Sequence, residues 1–287
     1  MTGAPDRSQW CVPTEWLARH LSDPDVIIVD GSWHLATTGR DGRKEYDTAH
    51  IPGAVFFDID VIADTAKPLP HMLPRADAFA EAVGTLGIDE KQRIVVYDGA
   101  GLSSAPRVWW TFKVMGAEDV VILDGGLPKW TAEERPVDAL PVTPPPRRFT
   151  TKFDPASVRD LAAVRDGIEA NAFQLVDARP ATRFRGEAPE PRDWVKTGRV
   201  PGSLNVPSAE LIAGGRLKDP ETLRNIFVAA GVDLEKPIVT SCGSGVNAAT
   251  LSLALDVLGV ENTALYDGSW TEWGARDGMP IAIGSER

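Results

Sequence analysis

Four blocks of this 287-residue sequence occur twice, in the same order. VIIVDGSW, with Val29-Asp30, returns as FQLVDARP, with Val176-Asp177, and HIPGAVFFDI returns as RVPGSLNVPS. RIVVYDGAGLSSAPRVWW is matched by PIVTSCGSGVNAATLSLA, and ILDGGLPKW by LYDGSWTEW. The spacing between partners drifts by only a few residues, so the chain reads as two copies of one domain. Half of this length is enough for each copy to bury a core of its own. Between them lies PVTPPP, Pro141 to Pro146, followed by Arg147-Arg148, and such a proline run favours an extended connector. The expected organisation is a first domain over 1–140, a linker over 141–148 and a second domain over 149–287.

Within each copy, short β-branched runs alternate with helical patterns, which predicts an α/β fold: two tandem domains, each a mainly parallel sheet flanked by helices. In the second copy, strands are expected near 174–178, 203–206, 238–240 and 263–266, and helices near 155–166, 220–230 and 248–258. Ligands collect at the carboxyl ends of the strands in such sheets.

Composition narrows the partners. Hydrophobic residues at 43% and charged residues at 25% fit a folded globular chain and exclude collagen-like or wholly disordered ones. With 30 Lys plus Arg against 41 Asp plus Glu, the net charge of −11 argues against a nucleic-acid or membrane partner. An anionic ligand would need a local cluster of Arg or Lys. Two cysteines, Cys11 and Cys242, are too few for a disulfide scaffold or a Cys-based zinc site and suit a reducing compartment. The opening residues lack a basic start followed by an apolar stretch, and nowhere do 18 apolar residues run together, so a soluble, cytoplasmic protein is expected. All four histidines, His20, His34, His50 and His71, lie in the first quarter of the chain.

The chemistry is concentrated at Cys242. The run PIVTS ends at this residue, Gly243-Ser244-Gly245-Val246-Asn247 follows, and a helical pattern begins. Glycines let the backbone turn sharply and aim successive N–H groups inward at a helix start, an arrangement that favours a thiolate and hence a nucleophile. A structural cysteine in an ordinary strand-to-helix turn is the alternative. The matching position in the first copy is Asp98, which cannot carry sulfur, so one active site per chain is expected, on the second copy.

With DGSWHL, GRDGRKEY, HIPGAVFFDID, HMLP, SAPRVWW, LDGGLPKW, RFRGEAPEPRD, CGSGV and YDGSW, the sequence resembles the tandem-rhodanese sulfurtransferases along nearly its whole length. Members that prefer thiosulfate carry a basic loop of the type CRKGV, whereas the neutral CGSGV is similar to the branch that uses 3-mercaptopyruvate. Asn247 stands where that branch usually has Thr and is expected to cap the following helix comparably. The resemblance implies a Cys242 persulfide formed from 3-mercaptopyruvate with release of pyruvate, then passed to an acceptor thiol, thioredoxin or cyanide, with no metal or organic cofactor. It assigns the backbone of Gly243, Ser244, Gly245, Val246 and Asn247 to the negative sulfur. Arg183 and Arg192 are assigned to the carboxylate and keto oxygen of the substrate, and Ser244, Asp60 and His71 to proton transfer.

Guanidinium forks suit a planar 2-oxo acid; the residues alone favour solvated surface arginines, and the resemblance reverses that. Because the second copy has no histidine, the imidazole must come from the first half, which predicts a cleft between the domains. Arg107 in SAPRVWW is expected to add positive potential there, and Trp109, Trp110, Trp130 and Trp273 to be core. Three rivals remain: a thiosulfate:cyanide sulfurtransferase, a phosphatase, and a non-catalytic sulfur-carrier or interaction module. The phosphatase loop C-x5-R would need Arg at position 248, where Ala248 stands.

Overall fold

Val26–Asp30 (VIIVD), Arg93–Tyr97 (RIVVY) and Asp119–Leu123 (DVVIL) are short β-branched runs buried at nearly every position, as parallel strands covered on both faces must be. In the computed structural model they join Cys11–Val12 and Val55–Phe56 in one sheet, ordered Cys11–Val12, Asp119–Leu123, Arg93–Tyr97, Val26–Asp30, Val55–Phe56, with every pair parallel. A second sheet repeats that order with Val158–Arg159, Thr263–Tyr266, Ile238–Ser241, Gln174–Asp177 and Leu204–Asn205, again all parallel. The structure describes residues 9–284, so the outer ends of the expected domains, residues 1–8 and 285–287, lie outside the described residues.

By contact the chain forms two units. Among the described residues, the first takes 9–62, then Pro74–Phe153 and Gly214–Arg216; the second takes Ala63–Leu73, Asp154–Ala213 and 217–284. Each unit therefore includes a short segment from the other half of the sequence. Each also has its own core, built in the first unit on residues such as Leu17, Tyr97 and Trp130 and in the second on Val164, Tyr266 and Trp273. The repeat extends to detail: the indole N–H of Trp130 donates to the Pro136 carbonyl at 2.7 Å, and that of Trp273 to Pro280 at 2.9 Å. Trp109 and Trp110 are also buried, so all four tryptophans expected in the core are there.

One expected helix is wrong in form. The stretch 155–166 is not a single helix but a 3₁₀ turn at Pro155–Ser157, an edge strand at Val158–Arg159 and a helix at Leu161–Glu169. Two aspartates cause the break: Asp154 accepts from the Ala156 N–H and Asp160 from the Ala163 N–H, each starting a new element. Between them, Val158 and Arg159 pair with Leu265 and Tyr266.

The copies differ in the turn after the strands Arg93–Tyr97 and Ile238–Ser241. Asp98, fully buried, follows Arg93–Tyr97 and fills its own turn. Its Oδ2 accepts the N–H groups of Ser103, Ser104 and Ala105 at 2.7, 2.9 and 2.8 Å, and its Oδ1 that of Ala100 at 2.8 Å. The turn that could hold an anion is occupied by the chain's own carboxylate. Asp98→Ala strands these donors at about 1–3 kcal/mol for a buried unsatisfied group, so a loss of at least ~3 kcal/mol is expected in urea unfolding. Asp98→Asn, which keeps acceptor oxygen, is expected to lose less; equal, small losses in both would mean that water satisfies the turn.

Candidate active site

The strand Ile238–Ser241 is buried at all four positions and delivers Cys242, itself 3% exposed, to the carboxyl end of the second sheet. The chain then turns through Gly243 to Asn247 into the helix Ala248–Val257, which is buried along almost its whole length. Gly245 has φ +80°, in the left-handed region where a side chain is strained, which accounts for glycine there. At Gly243 an added Cβ would meet nothing within 4 Å, so space lies open above that residue.

What fixes the cysteine backbone comes from the helix Ser269–Trp273. The Cys242 N–H donates to Ser269 Oγ at 3.1 Å, and its carbonyl accepts from the Trp270 N–H at 2.9 Å. The Gly243 carbonyl accepts from the Thr271 N–H at 2.8 Å, and Ser269 Oγ donates onward to the Tyr266 carbonyl at 2.9 Å. Ser269 itself has φ +51°, a conformation that costs a non-glycine residue of order 1–3 kcal/mol and persists where surrounding contacts over-determine it. Ser244 and Val246 are buried in the loop; Gly243 and Asn247 are partly exposed. The expectation for Asn247 fails: it has helical angles, φ −71° and ψ −21°, and its side chain makes no cap hydrogen bond. Side-chain capping needs an extended residue at that position.

The arginine side of this unit is organised by a residue that sequence reasoning passed over. Arg179 follows Asp177, the last residue of the strand Gln174–Asp177, and its side chain has no exposure. Its Nη2 and Nε donate to the Asp177 carboxylate at 2.7–3.1 Å, its Nη1 to Glu190 Oε1 at 2.7 Å, and Nη2 also to the Gly198 carbonyl at 2.9 Å. The guanidinium stacks over the Trp270 ring, 4.6 Å from its centroid. Burial alone would push Arg179 down, but Asp177 and Glu190 outweigh it and hold its pKa above the ordinary value. The signal was present as Asp177-Ala178-Arg179 at the end of the run FQLVD, where an ion pair two residues apart can close on itself.

Glu190 carries this network to Arg183, one of the expected substrate-binding residues. Its Oε2 faces Arg183 Nη1 at 3.8 Å, while the buried Arg183 Nε has no hydrogen-bond partner. Arg183 sits on the one-turn helix Ala181–Phe184, just past the same strand end. Arg192 is half-buried in the following turn, its carbonyl accepting from the Val195 N–H at 3.1 Å. Arg185, between the two in sequence, pairs with Glu187 at 2.7 Å.

The remaining predicted residues divide between the units. His71 lies in Ala63–Leu73 and so belongs to the second unit with Cys242, Ser244, Arg183 and Arg192. It is 5% exposed with φ +59°, and its segment is held where the Leu73 N–H donates to Asp267 Oδ2 at 2.7 Å. Asp60 and Arg107 belong to the first unit. Asp60 accepts from the Trp33 indole N–H at 2.9 Å, and the buried Arg107 guanidinium stacks on Trp110 at 4.6 Å. Neither cysteine is in a disulfide, and among the described residues no group of three or more His, Cys, Asp or Glu could hold a metal ion.

Comparison with known proteins identifies the family of the chain. The rhodanese-like domain family matches twice, over residues 13–133 and 160–276. The 3-mercaptopyruvate sulfurtransferase of Escherichia coli K12 is 45% identical over 275 residues, covering 95% of this chain and 97% of that one. The thiosulfate sulfurtransferase of Cricetulus griseus is 41% identical over 91% of each chain. The crystal structure of SseA from Escherichia coli, described as a 3-mercaptopyruvate sulfotransferase with the rhodanese fold, superposes with a TM-score of 0.85 at 43% identity, covering 91% of this chain and 99% of that one. With both halves matched and nearly the full length shared, the chain belongs to the rhodanese-like family, among its two-domain 3-mercaptopyruvate sulfurtransferases.

Proposed function

We propose that this chain moves sulfur from 3-mercaptopyruvate to an acceptor thiol, thioredoxin or cyanide through a persulfide on Cys242, in a cytoplasmic setting. The observation that carries the reading is the placement of Cys242 at the end of a buried strand, with its backbone pinned on both sides by Ser269 and Trp270. In the first half-reaction the Cys242 thiolate attacks the donor sulfur. An S–S bond forms, the C–S bond breaks, and its electron pair becomes the enolate of pyruvate, which takes a proton. In the second, the acceptor attacks the outer sulfur, the S–S bond breaks and the thiolate returns. The sequence balances without a redox cofactor or a metal.

Backbone N–H groups of residues 243–247 favour the negative sulfur in both states, as preorganised donors do where charge develops. Arg183, with an unmet N–H inside the protein, and Arg192 hold the carboxylate and keto oxygen of the donor. Ser244, His71 and Asp60 serve the proton step, and Arg107 adds positive potential. The neutral Gly243-Ser244 pair, with open space above Gly243, supports an organic donor over thiosulfate, whose charge is matched by a basic loop.

Incubation with 3-mercaptopyruvate is expected to add ~32 Da, one sulfur atom, to the Cys242 peptide and to release pyruvate, with a lower kcat/KM on thiosulfate. Sulfur only on Cys11, or turnover by Cys242→Ser, would overturn the assignment. Arg183→Ala and Arg192→Ala each remove a charge-assisted contact worth about 1.5–3 kcal/mol, or roughly 10–100-fold in kcat/KM. If the contact is equal in ground and transition states the loss falls on KM, and unchanged kinetics in both variants would return these residues to a structural role.

A further inference from the structure

The repeat places one aspartate just after the last central strand of each unit: Asp124 after Asp119–Leu123 and Asp267 after Thr263–Tyr266. Both grip a segment that comes from the other half of the sequence. In the first unit, Asp124 Oδ2 pairs with Arg216 Nε at 2.9 Å, and Arg216 closes the segment Gly214–Arg216. In the second, Asp267 Oδ2 accepts the Leu73 N–H at 2.7 Å, and Leu73 closes the segment Ala63–Leu73. The position has the same task twice, but only the second segment brings an imidazole. His71 is the one histidine of the second unit among the described residues, since His20, His34 and His50 lie in the first.

The grip is rigid at both ends. Asp267 is 4% exposed, and its own N–H donates to the Arg159 carbonyl at 3.1 Å, fixing it to the edge of the sheet. On the other side, His71 has φ +59° and Met72 accepts the Asp64 N–H at 2.9 Å, so the segment is folded back on itself just before the bond from Leu73. Two residues beyond Asp267, Ser269 Oγ receives the Cys242 N–H at 3.1 Å. One short stretch of chain, 267–269, thus anchors both the backbone of the nucleophile and the backbone next to the histidine.

We propose that Asp267 is a positioning residue that sets His71 in register with the Cys242 loop. The proposal rests on the reading that His71 serves the proton step. Asp267→Ala is expected to lower kcat with 3-mercaptopyruvate by about 10-fold or more, bounded above by the ~10²–10⁴-fold that acid–base help is worth, and to leave Cys242 able to form a persulfide. Asp267→Asn, which keeps an oxygen to accept the Leu73 N–H, is expected to recover most of that loss. The drop in Asp267→Ala/His71→Ala is expected to equal that of His71→Ala alone, because both changes remove the same contribution.

Amide hydrogen exchange on the full chain reads the seating without activity: Leu73 is expected to be protected in the parent and in Asp267→Asn, and to exchange at least about 10-fold faster in Asp267→Ala at temperatures where thermal melting shows each variant folded. Equal protection of Leu73 in all three, or additive losses in the double variant, would overturn the role of Asp267. Full kcat in His71→Ala would instead overturn the proton-step reading, and with it the catalytic purpose of the register.

Discussion

A guanidinium with no access to water holds the second unit's functional elements together. Arg179 is enclosed by Asp177, Glu190, the Gly198 carbonyl and the face of Trp270. Taking a cation out of water is costly, and an ion pair inside a protein returns that cost only when the remaining donors are satisfied as well. Here the fork is matched on all sides, and each partner leads to a different part of the site. Asp177 ends a central strand, Glu190 stands beside Arg183, and the Trp270 N–H holds the carbonyl of Cys242. The gain from such a network is geometric: moving Asp177 or Glu190 would leave a buried charge unmatched.

The first copy answers the same problem differently. Where the second has Asp177 and Arg179, the first has Asp30 and Ser32, with the Ser32 N–H donating to Asp30 Oδ1 at 2.8 Å and no arginine in the place of Arg179. Burial then pushes Asp30 up to about 6, despite the hydrogen bonds from Ser32 and Tyr97. Ser32 Oγ in turn accepts the Gly99 N–H at 2.8 Å, tying the strand end directly to the turn that Asp98 fills. One copy spends its buried polar groups on closing the turn, the other on keeping a cysteine and an arginine loop in fixed relation.

Much of this was legible in the sequence because it is local or repeated. The duplicated blocks gave the paired sheets, β-branched runs gave the strands, and a glycine-rich turn after one of them gave Cys242. The break at 155–166 was missed because two aspartates each start an element within a few residues, and apolar periodicity does not register a cap. Ser269 and Asp267 act through backbone N–H groups, one of them 194 residues away in the chain, and a backbone donor leaves no mark on residue type. His71 was found through resemblance, but its place in the second unit could not be read from its place in the sequence, which lies wholly within the first half.

The proline run Pro141 to Pro146 lies between the two repeated copies, yet the two units do not part there along the chain. Ala63–Leu73 and Gly214–Arg216 each belong to the unit opposite their own half. A chain divided at the connector would give two fragments, each carrying a loop that it does not use and missing one that it does. A boundary drawn by position along the chain alone would therefore assign both loops to the wrong unit.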